Sequence, residues 1–503
     1  MMGQSIKVRP LPGGLALSRK ANANVRPSIY DLPLQPRYYL PLINYFKELI
    51  QPVVEVGDSV EGGELLAQGI VAPTSGHIVD QIEHPWLHPS NTTVQTLVLQ
   101  ADNRDSFPAW KPLDATQYSQ AEKLQRVEQA AIHGLGGAAF NTAKKIERAC
   151  AENETTLIIN AVECEPGICC DDALLQQQSS DVLKACGSLC NWLGISTALF
   201  AIEDDKPNAI EEIQAAMGKH NHSIQLIVLP AIYPSGAEAP LVQRLTGITL
   251  AKNQRAADIG VLCLNVATIL SIHRALQGHA CVERIVSVTT QDCDHSVNIR
   301  TRFGTPIDAL LAYAGTQSDI IKNELDRNSS TVRIGGPLSG FNNALNTSPV
   351  VASTNAILVG SEAKLPEPSA CIRCTECSLV CPVNILPQEL YTAAKTNNLE
   401  LAERYSLDSC VLCGCCDLVC PASIALTDWF RFAKDSANQQ NNEIKAANAA
   451  RQRSEKRNER LQHQKIKKSQ TDADRRKAAA QYKSSSEDIK AALTRVKKKR
   501  PES

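Results

Sequence analysis

Eight of the 18 cysteines fall into two runs of identical spacing. Cys371, Cys374, Cys377 and Cys381-Pro382 form a C-x₂-C-x₂-C-x₃-C-P run, and Cys410, Cys413, Cys416 and Cys420-Pro421 repeat it 39 residues later. A cubane iron–sulfur cluster takes four thiolates, three from one tight loop and the fourth from the other run of a two-cluster domain. The spacing predicts two [4Fe–4S] clusters. Cys371, Cys374, Cys377 and Cys420 would hold one, and Cys410, Cys413, Cys416 and Cys381 the other. The Cys-Pro step should start a helix leading away from each site. Structural zinc sites usually show two C-x₂-C pairs instead, so the expected chemistry is electron transfer. Cys415 lies between two predicted ligands and reads as a spectator thiol.

Three further constellations occur where strands give way to helices. From about residue 120 to 250 the pattern alternates: AEKLQRVEQAAI helical, TTLIINAV a buried strand, SSDVLKACGSLCNWLG a helix, STALFAIED a strand, PNAIEEIQAAMGKH a helix, SIQLIVLPAIY a strand. Such alternation indicates a parallel α/β sheet, and these sheets bind nucleotides beyond the carboxyl ends of their strands. His133-Gly-Leu-Gly-Gly-Ala-Ala-Phe140 leads into a helix expected over residues 141–149. Its glycines would let the backbone approach a phosphate at the helix N-terminus, with Lys145 one turn in. Asn160-Ala-Val-Glu163-Cys-Glu165-Pro-Gly167 follows a strand; carboxylates two residues apart on extended backbone point the same way and suit a ribose or amide. Tyr233-Pro-Ser-Gly236-Ala-Glu238 precedes an apolar helix, and Asn265 in CLNVAT closes the set. A plain turn is the alternative for the glycine loop and for Pro166-Gly167. His133 reads as a local hydrogen-bonder. Cys186 and Cys190 read as core; Cys164, Cys169 and Cys170 are either small buried hydrophobes or a redox pair.

Near the N-terminus, QPVVEVGDSVEGGELLAQGIVAPTSGHIVDQI alternates short apolar segments with Gly-rich turns, the pattern of a small antiparallel β unit. It resembles the barrel-sandwich fold of biotinyl and lipoyl carriers. The hairpin at residues 67–73 has no lysine to carry a prosthetic group, so a docking or structural role is expected.

The 503 residues allow three or four domains, and 43% apolar residues suffice for sizeable cores. A disulfide framework is not expected in so long a chain. MMGQSIKVRPLPGG lacks the apolar segment of a secretory signal. No stretch approaches the ~20 apolar residues of a spanning helix. The net charge of −1 hides an asymmetry: from Asp435 onward there are 19 Lys/Arg and 9 Asp/Glu. That tail favours helix by composition but has no sustained apolar stripe, so a solvated or partly helical tail is expected. The functional alternative is electrostatic contact with anionic lipid or an acidic partner. Without interleaved aromatics for base stacking, no nucleic-acid partner is expected.

HGLGGAAFNTAKKI resembles the GRGGAGFPTGLKW-type flavin loop of the NADH-binding flavoprotein subunit of respiratory complex I. INAVECEPG resembles that family's NADESEPG, YPSGAEAPL its GEETAL segment, and CLNVAT its VNNVET. In order of parts the chain is closer still to the C subunit of the Rnf/Rsx-type electron transport complex, over about residues 5–435. RFGTPIDALLAYAG with VRIGGPLSGF resembles that family's β-grasp part. The resemblance implies a multidomain α/β and α+β chain. Its parts are a barrel-sandwich domain (1–110), a Rossmann-like FMN/NADH module (118–255), a β-grasp domain (256–355), a twin [4Fe–4S] ferredoxin-like domain (361–432) and a basic tail (433–503). It implies that Gly134, Gly136, Gly137 and Lys145 cradle the FMN phosphate, with Asn160, Glu163 and Asn265 around the flavin. Phe140 would stack on the nicotinamide dinucleotide, with Glu165 and Glu238 near it. Ala139, Asn141, Ala237 and Ala267 depart from the family pattern. The implied role is an NADH-linked oxidoreductase component, peripheral on the cytoplasmic side of a bacterial inner membrane. Electrons would pass from NADH as substrate through FMN to the clusters and on to membrane partner subunits. No side-chain catalyst is called for, and membrane contact would be indirect, aided by the basic tail. Two alternatives are a cluster-bearing relay without nucleotide activity and a diaphorase subunit of a soluble NAD-linked hydrogenase or formate dehydrogenase.

Overall fold

The computed structural model describes residues 8–17, 28–44, 48–90, 92–113, 118–152, 155–217, 223–252, 254–327, 331–343, 346–361 and 366–498. Tail residues 499–503 lie outside them. Two compact units divide the chain, Met1–Asp435 and Ser436–Ser503.

In the first unit, the N-terminal sheet is antiparallel, in the order Arg37–Pro41, Thr93–Ala101, Gly76–Pro85, Ser59–Val60. Alternation sends Tyr38, Leu40, Ile78, Leu97 and Leu99 into a small core with Leu66. The hairpin Leu65–Ala67/Ile70–Val71 turns at Gln68-Gly69. A Cβ on Gly69 would lie 3.0 Å from the His133 ring, so this hairpin tip packs on the start of the glycine loop.

The middle sheet is wholly parallel, in the order Ser223–Leu229, Thr197–Glu203, Thr156–Ala161, Val261–Asn265. Its strands are apolar on both faces because helices cover both. Along Thr156–Ala161, Leu157 and Ile159 enter one core while Ile158 enters the opposite one. The pairing of Val261–Asn265 with Thr156–Ala161 corrects the boundary expected at 255/256. That strand and the helix Val266–Leu276 complete this module, since VLCL is a buried parallel strand with no place at the start of another domain.

A third sheet runs Ile29–Asp31, Ser296–Arg302, Glu283–Thr290, Ala356–Gly360, Thr331–Ile334, Phe341–Asn342. Two more boundaries move. Ile29–Asp31, expected inside the N-terminal domain, pairs in parallel with Ser296–Arg302, and the strand Ala356–Gly360 runs past residue 355. The cysteine runs sit among short helices around Leu390, Leu407, Ile424, Leu426 and Phe430. Neither Cys-Pro step opens a helix. The chain first turns, and helices begin at Pro387 and Leu426.

The helix from Leu426 continues to Lys498. In the second unit nearly every described side chain on it is exposed. Only partial helix was expected; i, i+4 pairs such as Arg451–Glu455 at 2.9 Å support it without a core. Among the described residues no helix is long and apolar enough to cross a membrane.

Phe200 is fully buried in the middle sheet. Phe200→Ala should leave a cavity costing about 3–5 kcal/mol, seen as an earlier urea transition of the middle module in tryptophan fluorescence. An unshifted transition would contradict the packing described.

Candidate functional site

The two cysteine runs fold alike. Positive φ recurs at Arg373 and Leu412 (55° and 54°), Thr375 and Gly414 (67° and 73°), and Asn384 and Ser423 (53° and 51°). One-turn helices Glu376–Leu379 and Cys415–Leu418 follow in register. The left-handed turns wrap each loop inward so that its first three thiols face a common space. One cavity is lined by Cys371, Cys374, Cys377 and Cys420, with Ile372, Ile424 and Leu426. The other is lined by Cys410, Cys413, Cys416 and Cys381, with Val383, Ile385 and Phe430. The structure thus brings together the two crossed sets of four. Cys415 lines the second cavity as well.

The cavities differ in environment. Cys371 and Cys374 are exposed, whereas Cys381 is buried. Burial pushes Cys410 up to about 12 and raises Cys416 further. Cys413 is instead held below the ordinary thiol value, chiefly by a hydrogen bond from Cys415. Cys415 itself is buried beside these thiols. Four converging thiols in apolar walls suit an iron–sulfur cubane, whose iron displaces the thiol protons.

The glycine loop has its own supports. Gly134 N–H donates to the Phe140 carbonyl and Ala139 N–H to the Gly134 carbonyl, closing the loop on itself. Thr268 accepts from Leu135 N–H at 2.9 Å, and Arg284 donates to the Leu135 carbonyl at 3.1 Å. Arg284 is buried and also donates to Ala352 and Ile285 carbonyls. Sequence reasoning missed it; the available signal was a single Arg inside the strand Glu283–Thr290. Ala139 has φ of 50°, which explains the usual glycine there. Asn141 is the N-cap of the helix Thr142–Cys150 and accepts from Lys144 N–H at 2.9 Å.

The remaining expected residues lie close by, with partners of their own. Thr142 N–H already donates to the Ile132 carbonyl, which leaves this helix end fewer amides for an anion than expected. The Thr142 hydroxyl is buried without a hydrogen-bond partner and suits a phosphate oxygen. A Cβ on Gly136 would crowd Asn265 at 3.2 Å, and one on Gly137 would reach Asn355 at 3.4 Å. Phe140 is half-buried in the loop. Lys145 pairs with Glu238, first residue of the helix Glu238–Thr246. Asn160 donates to the Gly236 carbonyl at 2.9 Å. Asn265 caps the helix Val266–Leu276 and donates to Asp171. These side chains and the unpartnered hydroxyl fit a phosphate-bearing cofactor such as FMN.

Glu163 and Glu165 do not point the same way. Both follow the strand in a loop, where the backbone is no longer extended. Glu163 accepts Asp171 and Asp172 N–H at 3.0 and 3.2 Å, covering the N-terminus of the helix Cys170–Leu193. Glu165 is buried and accepts Leu338 and Ser339 N–H at 2.8 and 2.7 Å, with the Ser339 hydroxyl. The proposed nicotinamide carboxylate thus ties the middle module to the loop after Thr331–Ile334.

Glu163, Cys170 and Asp171 bring two carboxylate oxygens and a thiol within 4.8 Å of one another. Burial raises all three, lifting Asp171 from 3.8 to about 8, with the Glu163 charge adding to it and Asn265 and Arg284 opposing it. Cys169 rises to about 11, again chiefly through burial. Protonated thiols make poor nucleophiles, which favours the plain buried role over a redox pair. A native Asp171 that keeps its proton to about pH 8 makes the fold less stable as pH rises from about 4 to 8. Asp171→Asn should flatten that decline, read as a smaller melting-temperature difference between the ends of this window; an unchanged difference would remove Asp171 as its source.

The second cysteine loop also touches the middle module. Tyr233 is buried, and its hydroxyl donates to the Cys413 carbonyl at 2.6 Å. A Cβ on Gly414 would lie 2.5 Å from the Leu338 carbonyl oxygen, and one on Gly13 would lie 2.8 Å from that of Cys381.

Residues 10–104 match the family model described as the RnfC barrel sandwich hybrid domain, and residues 127–274 match the Nuo51 FMN-binding domain. The chain is 37% identical over 462 residues to the C subunit of the ion-translocating oxidoreductase complex of Pseudomonas aeruginosa, covering 90% of this chain and 58% of that protein. It is 36% identical over 494 residues to the subunit of the same name from Citrobacter koseri, covering 95% and 68%. The match thus spans less than two thirds of the first relative and slightly more of the second. An NAD⁺-reducing [NiFe]-hydrogenase in its H₂-reduced state aligns with a TM-score of 0.42 at 15% identity, over 65% of this chain and 62% of that one.

Proposed function

This chain belongs to the family of C subunits of the ion-translocating oxidoreductase complex, and on that premise we propose that it passes electrons from NADH through FMN to two [4Fe–4S] clusters. It does so as a peripheral subunit, handing electrons to membrane partners at the cytoplasmic face of a bacterial inner membrane. The observation that carries this reading is the pair of cavities, each ringed by three thiols of one run and the fourth of the other. The match of residues 127–274 to an FMN-binding domain supports the flavin half. In this reading the third sheet is the β-grasp part and the cysteine region a twin-cluster ferredoxin-like domain.

When bound, FMN couples the two-electron chemistry of a nicotinamide to one-electron carriers. This chain's residues provide position and environment. Thr268 and Arg284 clamp the glycine loop from two elements, leaving the Thr142 hydroxyl for the phosphate. Asn160 and Asn265 are oriented by their bonds to the Gly236 carbonyl and to Asp171. Glu163 holds the next helix start in place. Gly134, Gly136 and Gly137 keep the approach open; Phe140 borders it for the dinucleotide, and the Lys145–Glu238 pair closes its side. Apolar walls around Cys381, Cys410, Cys413 and Cys416 limit water at the second cavity, while Cys371 and Cys374 of the first are exposed.

A second reading, a relay without nucleotide activity, is favoured by two observations. Ala139 occupies a left-handed position, and Lys145 already has its counter-charge. Anaerobic reconstitution with iron, sulfide and FMN separates the two. NADH should bleach the flavin and produce a reduced-cluster signal by electron paramagnetic resonance; clusters reducible by dithionite but never by NADH would leave the relay. Cys374→Ser should remove one cluster and stop onward transfer while flavin bleaching persists. Full iron content and undiminished throughput in that variant would refute the ligand assignment. Ala139→Gly should relieve about 1 kcal/mol of left-handed strain in the unbound loop, raising the melting temperature of the middle module. It should tighten FMN only where the bound loop adopts a backbone more strained for alanine than this one. Unchanged affinity in a flavin titration would mean that the bound loop keeps the same backbone.

A further inference from the structure

The last turns of the long helix carry four large apolar side chains that nothing covers: Tyr482, Ile489, Leu493 and Val496, all more than half exposed. Their separations of seven, four and three residues put them on one face. At 100° per residue they fall within an arc of about 60°. Of the other exposed apolar residues of this unit, Ile444 and Ile466 fall on the opposite side and Leu461 lies several turns earlier, so the stripe is local. Charge around it is net positive. Lys490 and Lys497 lie beside the stripe on one side and Asp488 beyond its other edge, while Glu487, Arg495 and Lys498 face away from it. From residue 487 to 498 there are four cations and two acids.

We propose that these turns form an interfacial helix that binds an anionic lipid surface. Its apolar stripe would enter the headgroup boundary, with Lys490 and Lys497 reaching beside it to lipid phosphates. The lysine stems are long enough to lie along the apolar face while the ammonium stays at the polar level. An excess of cations around an apolar face complements a negative leaflet. A coiled coil with a second copy is the competing occupant. It needs apolar heptads sustained over at least three or four repeats, and this stripe spans about two, with Ser486 at one of its positions. The proposal does not depend on electron transfer by the rest of the chain.

The test is sedimentation of the full-length chain with phosphatidylcholine vesicles, with and without phosphatidylglycerol, at low and high salt. Two variants accompany it: Ile489→Glu/Leu493→Glu and Lys490→Glu/Lys497→Glu. Expected is binding to the anionic vesicles only, reduced by salt and weakened at least about tenfold in each variant, as the loss of two inserted apolar side chains in the first and of two lysine contacts in the second requires. Circular dichroism establishes that each variant keeps its helix. Equal binding of wild type and a helical variant would overturn the proposal, as would absence of binding to anionic vesicles. So would concentration-dependent self-association that the first variant abolishes while vesicle binding stays negligible, which would assign the stripe to a second copy.

Discussion

Glu165 is a buried carboxylate whose hydrogen bonds join the middle sheet to the loop on which the second cysteine run rests. It stands at the end of the middle sheet and accepts two backbone N–H groups and a hydroxyl from Leu338 and Ser339. The Leu338 backbone is the surface against which Gly414 of the second cysteine loop packs, and the Ser339 carbonyl accepts from Arg431 at 3.0 Å. Desolvation alone would favour the neutral acid, and the three donors, with Arg333 nearby, oppose it. A buried polar group left without its partners costs on the order of 1–3 kcal/mol, and a charged one more. Any arrangement that pulled the Leu338–Ser339 loop away from the sheet would therefore have to resolvate this carboxylate.

The consequence is an asymmetry between two cysteine loops of nearly identical backbone. The loop of Cys410, Cys413 and Cys416 lies against Tyr233 and Leu338, with Cys415 buried at the same junction. In the other loop Cys371 and Cys374 face solvent. Local sequence repeats, yet environment does not, and a cluster's potential responds to hydrogen bonding and solvent exposure.

The glycine loop shows the same division of labour. Its turn chemistry is local, but it is fixed by Thr268 from a following helix and by Arg284 from another sheet. The hairpin tip at Gly69 packs beside it on His133. In carriers of this fold that tip would present a modified lysine; here it is a packing surface within the chain.

What the sequence determined by itself was everything set by spacing and periodicity. The crossed thiol sets follow from two short runs, the parallel sheet from alternating apolar strands and helices, and the antiparallel N-terminal unit from period-two segments between glycine turns. Asn265 and the 134–140 loop were legible for the same reason, since their neighbours in the chain shape them. Tertiary structure decided the rest. The apolar run 261–265 could have begun a new domain until its hydrogen bonds with Thr156–Ala161 placed it, and Ile29–Asp31 could not be assigned to a sheet across more than 260 residues. Glu163 and Glu165 are two residues apart and looked like a pair. Once the strand ends, backbone direction no longer aligns them, and each turns to the N–H groups its own side of the loop meets. Arg284, Tyr233 and Cys415 act through contacts distant in sequence or hidden by a neighbour's role. Burial and partnership of that kind are properties of packing, which a linear pattern does not encode.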